Sequence, residues 1–163
     1  MKVSEICDLS SLDAAVMLPL NNAHAAETSA LDEGSLAALI DMAFYARGVD
    51  RGGAALLIAL DQNAKYDSPN FLWFKACHES FVYIDRIIIS SAARGQGLAR
   101  SLYEDLFAAA KRAGYDRVVC EVNIDPPNRV SEAFHTAMGF CAVGEASIHS
   151  GTKTVRYLER SLR

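Results

Sequence analysis

The chain has 163 residues, 51% of them hydrophobic and 22% charged, with a formal net charge of −4. That length suits one domain over residues 1–163 with a single core, and the composition excludes a disordered or fibrous chain. The acidic balance argues against a nucleic-acid partner, which needs a concentrated basic face.

Residues 2–8 alternate as a first strand, and Ser10 or Ser11 caps a helix through "LDAAVMLPLNNAHAAE", which Pro19 should kink or divide. "DEGSLAALIDMAFYA" predicts a second helix, its stripe of Leu36, Leu39, Ile40, Ala43 and Phe44 ending before Gly48. The period then changes. "GAALLIALD", "NFLWFKA" and "SFVYIDRIIIS" predict three successive antiparallel strands, separated by turn-forming segments. From Gln96 to Ala113 the apolar residues recur every three or four positions, with Lys111 and Arg112 in the last turn and Gly114 as a stop. "DRVVCEVNI" predicts a strand, "NRVSEAFHTAMGF" a short helix begun by Asn128, and "FCAVGEASI" with "TKTVRYLERSL" a closing hairpin. The expected fold is α/β, a mixed, mostly antiparallel central sheet with helices on both faces, in the order β-α-α-β-β-β-α-β-α-β-β.

Cys7, Cys77, Cys120 and Cys141 form no C-x-x-C pair and fit the reduced thiols of a cytoplasm. The histidines lack ligand spacing, so no metal is expected. The start "MKVSEICDLS" lacks a signal-peptide profile, and no apolar run approaches the ~20 residues that span a bilayer, so a cytoplasmic protein without a membrane partner is expected. Between Lys2 and Arg47 there is no Lys or Arg, while Glu5, Asp8, Asp13, Glu27, Asp32, Glu33 and Asp41 fall there. Such a stretch favours a cationic partner, or is simply a solvated acidic surface.

The segment "SSAARGQGLARSLYEDL" places two glycines where a strand gives way to a helix. It is not a nucleotide P-loop, because G-x-x-x-x-G-K-[ST] is absent. It is a poor dinucleotide fingerprint, because Arg100 stands at the third glycine position and no βαβαβ opening precedes it. The pattern it meets is R/Q-x-x-G-x-G/A, through Arg94, Gly97 and Ala99. There small residues let consecutive N–H groups face a pyrophosphate at a helix start.

A second element follows in the helix from Asn128, with Ser131 three residues on, Phe134 six on, and Gly139-Phe140 after it. In order and spacing the two elements resemble the GNAT superfamily of acetyl-CoA-dependent N-acetyltransferases. Its pattern runs strand, R/Q-x-x-G-x-G/A, helix, strand, N-x-x-A-x-x-L/F-Y, then G-F. The likeness is concentrated in residues 81–140, and the first 75 residues match in element order alone. It implies a GNAT-like domain that moves an acetyl group from acetyl-CoA to a primary amine of a small molecule or protein, by direct attack in a ternary complex. It also implies that Ile87, Ile88 and Ile89 border the pantetheine arm and that Arg94, Gly95, Gln96, Gly97, Leu98, Ala99 and Arg100 hold the pyrophosphate. Asn128 contacts the cofactor in the family; here it also reads as an ordinary helix cap.

The attacking amine must lose a proton, and Asp85 and Glu121 are the candidate bases on the two central strands. Asp85 is preferred, because it lies close to where the family often has an acid and, by alternation, shares a face with Tyr83 and Ile87. An ion pair with Arg86 is the competing role. The family's tyrosine acid for the departing thiolate falls at His135, a better acid than phenol when protonated. Tyr83, Tyr103 or solvent are the alternatives. The first helices, the following loop and the final hairpin choose the acceptor in this superfamily; Phe71, Trp73, Phe74 and Tyr83 either help receive an amine or are core. A non-catalytic acyl-CoA-binding or sensor domain, and an interaction module working through its hairpin, are the other readings. By analogy of fold a homodimer is expected.

Overall fold

The structure, a computed structural model, describes residues 5–10, 12, 14–23 and 31–163. Seven strands form one sheet, β1 (Ile6–Asp8), β2 (Tyr45–Val49), β3 (Ala55–Asp61), β4 (Val82–Ile89), β5 (Arg117–Asp125), β6 (Cys141–Ile148) and β7 (Lys153–Ser161), in the order β1-β2-β3-β4-β5-β7-β6. Every neighbouring pair is antiparallel except β4 with β5. The helices are α1 (Ala14–Ala23), α2 (Glu33–Asp41), α3 (Pro69–Cys77), α4 (Leu98–Arg112) and α5 (Arg129–Ala137). The expected mixed sheet with helices on both faces is present. One core lies between the sheet and α4, built on Leu98, Leu102, Tyr103, Leu106 and Phe107. The other lies beneath α1, α2 and α3, built on Met17, Leu36, Phe71 and Phe74.

Two elements differ from the sequence expectation. The second helix stops at Asp41, and Tyr45–Val49 is a strand with β1 on one side and β3 on the other. Burial of Tyr45, Ala46 and Val49 between two partners outweighs the helical appearance of "MAFYA". Gly48 is a strand residue rather than a helix stop, since a Cβ there would meet the Ala55 carbonyl oxygen at 2.4 Å. The second difference is "NFLWFKA", a helix in place of a strand. Pro69 occupies its first turn, where a missing N–H costs nothing, and Asn70, Phe71 and Phe74 bury one helical face. Pro19 lies inside α1 without dividing it. Ser11 and the expected continuation of α1 through residues 24–27 lie outside the described residues.

A third finding concerns β4. Ile58 pairs with Arg86 and Ala59 with Ile84, so Asp85 is the extra residue of a β-bulge. Alternation is broken there. Tyr83 packs into the core under α3, whereas Ile87 packs on the α4 side, and the expected shared face for Asp85, Tyr83 and Ile87 does not form.

Candidate active site

β4 and β5 pair only at Val82–Val118 and Tyr83–Val119. Beyond those residues the two parallel strands part, and a cleft of about 850 Å³ opens between them. Its walls are Ile84–Ile89 of β4 and Cys120–Asn123 of β5, and α4 and α5 close it from one side. Strand edges that part in this way leave backbone N–H and C=O groups for a polar, extended ligand to use.

The glycine turn stands at one end of the cleft. Gly95 and Gly97 have φ of 79° and 74°, the left-handed region that glycine enters without penalty. A Cβ built on either would meet nothing within 4 Å, so these glycines serve backbone conformation and open space rather than packing. Gly97 caps α4 with no side-chain bond, and the first-turn N–H groups behind it have no intrahelical acceptors. Together with the helix dipole they make a seat for phosphate. Ile87–Ile89, Arg94, Gly95, Leu98, Ala99 and Arg100 all line the cleft with Gly97; Gln96 does not. Asn128 lines it too and also caps α5, its Oδ1 accepting the Ser131 N–H at 3.2 Å.

Of the four expected catalytic residues, Asp85, Glu121 and His135 line the cleft, and Tyr83 stands behind Glu121. The Tyr83 hydroxyl donates to Glu121 Oε2 at 2.8 Å, with Oε1 at 3.1 Å, and Asn70 Nδ2 donates to Oε1 at 3.0 Å. Burial nevertheless dominates, with the nearby Asp85 charge acting in the same sense, and Glu121 is pushed up to about 8. Asp85 has a different setting. Arg86 Nε donates to its Oδ2 at 2.7 Å, both side chains are almost wholly buried, and Arg86 Nη1 reaches Asn21 Oδ1 at 2.6 Å.

His135 is buried in a ring of aromatic side chains, with Tyr103, Phe134 and Phe140 edge-on to it. Its Nδ1 lies 2.7 Å from the Ser131 carbonyl oxygen, which only accepts, so Nδ1 carries the hydrogen. In the neutral ring Nε2 then accepts from the Tyr103 hydroxyl at 2.7 Å. Both nitrogens are engaged, and burial lowers the pKa of the ring. Asn70, which donates to Glu121, is a residue that the sequence did not single out, and the Ser68-Pro69 helix start was the available signal for it. Tyr103, an alternative acid in the sequence reading, lines the cleft.

Fold and cleft are those of a coenzyme A-dependent acyltransferase. The chain belongs to the acetyltransferase (GNAT) family, whose sequence model matches residues 29–140, and is an acetyl-CoA-dependent acetyltransferase. The ribosomal-protein-S18-alanine N-acetyltransferase of Escherichia coli is similar in structure at 16% identity and TM-score 0.70, over 98% of this chain and 94% of that one. An N-acetyltransferase from Staphylococcus aureus Mu50 gives 12% identity and TM-score 0.73, over 99% of both chains. A protein from Salmonella typhimurium solved with its cofactor acetyl-CoA gives 16% and 0.70, over 99% and 94%. No curated protein matches the sequence significantly. Among the described residues no helix is long and apolar enough to cross a membrane, and no three His, Cys, Asp or Glu side chains are grouped to hold a metal ion.

Proposed function

We propose that the protein transfers the acetyl group of acetyl-CoA to a primary amine of a small molecule or of a protein, by direct attack within a ternary complex. The observation that carries this reading is the parting of β4 and β5, with the glycine turn at one end and the Glu121 carboxylate on the wall. In this reading Arg94 to Arg100 seat the pyrophosphate, and the exposed edges of Ile87–Ile89 and of β5 hold the pantetheine arm. The thioester supplies an activated acyl carbon.

Glu121 is the base. The amine nitrogen bonds to the acyl carbon, the carbon–sulfur bond breaks, and the amine's proton passes to the carboxylate directly or through water. A carboxylate raised to about 8 is matched to an amine far better than an ordinary one. Asp85, tied to Arg86 in the bulge, holds the wall of the site. The sulfur leaves as thiolate. With an ordinary thiol pKa of about 8.5 it departs without an acid and takes its proton from solvent, while His135, whose nitrogens are occupied, holds Tyr103 in place.

The reading extends to one acetyltransferase domain over residues 1–163 acting in the cytoplasm, supported by four free thiols. It extends also to a homodimer, supported by the exposed edge strand β6. Calorimetric titration with acetyl-CoA, then thiol release over a panel of amines, tests the function. Micromolar binding with amine-dependent release is expected; absence of binding would overturn it. Light scattering during gel filtration tests the dimer, which elution at the monomer mass would exclude.

A further inference from the structure

The base of this reading is held by a helix that no motif announces. Asn70 is 8% exposed and lies on the face of α3 that also buries Phe71 and Phe74. A buried amide is costly unless both of its ends are paired. Here both are. Nδ2 donates to Glu121 Oε1 at 3.0 Å, and Oδ1 accepts from the Tyr157 hydroxyl at 3.0 Å. Against the ionised carboxylate, which only accepts, the amide has one orientation. Tyr157 is held in turn by Trp73, stacked at 4.1 Å, and by Phe74, edge-on at 5.2 Å. Phe71 and Phe74 also pack on Tyr83, the other donor to Glu121.

We propose that Asn70 is a positioning residue for the Glu121 carboxylate: α3 aims it, Tyr157 locks it, and its N–H favours the ionised form that the reaction needs. This rests on Glu121 as the base. The titratable groups facing Glu121 are Tyr83 and Asp85 from β4, Cys120 beside it on β5, Tyr157 from β7 and Tyr103 from α4. Asp85 is paired with Arg86. Tyrosine and thiol groups buried in this way stay neutral across the working range, so the Asn70 and Tyr83 donors act against burial and the Asp85 charge.

The test is a pH titration of ligand-free protein carrying ¹³C at the glutamate carboxyl carbon, with Glu121→Gln identifying the signal. Removing a donor to a charged acceptor moves the midpoint upward, by about one pH unit for Asn70→Ala. Tyr157→Phe frees the amide and moves it the same way by less. The ascending limb of kcat/KM against pH moves with it. If Asn70→Ala fails to fold, Tyr157→Phe carries the test. Unchanged midpoints in folded variants overturn the proposal, even if activity falls. Wild-type kcat/KM in Glu121→Gln would instead overturn the base reading beneath it, whatever the titration shows.

Discussion

The buried carboxylate of Glu121 should be visible in stability before any substrate is known. In an unfolded chain a glutamate loses its proton near 4.5, and in this site it does so near 8. Between those values the native state holds a proton that the unfolded state has released, so stability falls as pH rises through that window. Below it and above it this group contributes no slope. A difference of about 3.5 pH units sets a ceiling of about 5 kcal/mol. For a chain of this size that ceiling corresponds to roughly 10–20 °C in Tm. Glu121→Gln removes the charge while its amide oxygen still accepts from Tyr83 and Asn70. Melting both proteins from pH 4 to 9 cancels every other titration. The variant's advantage should be small and flat below pH 4.5, grow to pH 8, and level off. A difference constant with pH would refute the argument, since it would mean that the carboxylate titrates normally. The kinetic counterpart is a kcat/KM that rises with pH along a limb near 8 and loses that limb in the variant.

Gly97→Glu puts a carboxylate where the pyrophosphate is expected and strains a residue with φ of 74° by ~1 kcal/mol. Affinity for acetyl-CoA should fall at least ~100-fold, an electrostatic and steric loss, while unchanged calorimetric binding would displace the site from this turn. Gly48→Ala drives a methyl group into the Ala55 carbonyl oxygen at 2.4 Å, a backbone atom that cannot swing away. Denaturant melts should show a loss of ~2–4 kcal/mol, and a loss below ~0.5 kcal/mol would mean that β2 and β3 are not so closely apposed. Tyr103→Phe leaves Nε2 of His135 buried without its donor and should cost ~1–3 kcal/mol of stability. Its kcat should drop less than about tenfold if solvent protonates the thiolate; a drop of ~10³ would instead make Tyr103 the acid.

What the sequence made legible is chemistry that is local in the chain. The turn from Arg94 to Ala99 could be placed because what it offers lies in backbone geometry, and the glycines that permit it stand a few residues from the strand and helix it joins. The order of strands and helices was legible wherever the hydrophobic period ran long, as in α4. It failed at two short apolar runs. "MAFYA" and "NFLWFKA" are each compatible with helix and strand, and what decides between them is their neighbours: β1 and β3 flank the first, and Tyr83 and Tyr157 lie beneath the second. The bulge at Asp85 was also silent, because one unpaired residue changes the face of every residue after it without changing the composition.

The difference between the two halves of the site follows from this. The proposed pyrophosphate seat is made of groups near one another in sequence and survives an error in assigning a distant strand. The proposed base is assembled across the fold: Asn70 reaches Glu121 over 51 positions, Tyr157 reaches Asn70 over 87, and Tyr83 reaches Glu121 over 38. Reading residues 70–76 as a strand removed Asn70 from consideration and left Asp85 preferred over Glu121. With α3 a helix the proposed preference reverses, because Asp85 is neutralised by its neighbour Arg86 and Glu121 is held by two neutral donors in a desolvated place. It follows that changes in α3 which keep Phe71 and Phe74 but move Asn70 should alter the pH at which the enzyme works while leaving its grip on acetyl-CoA intact. In the proposed reading the pyrophosphate seat and the seat of the base depend on different parts of the chain.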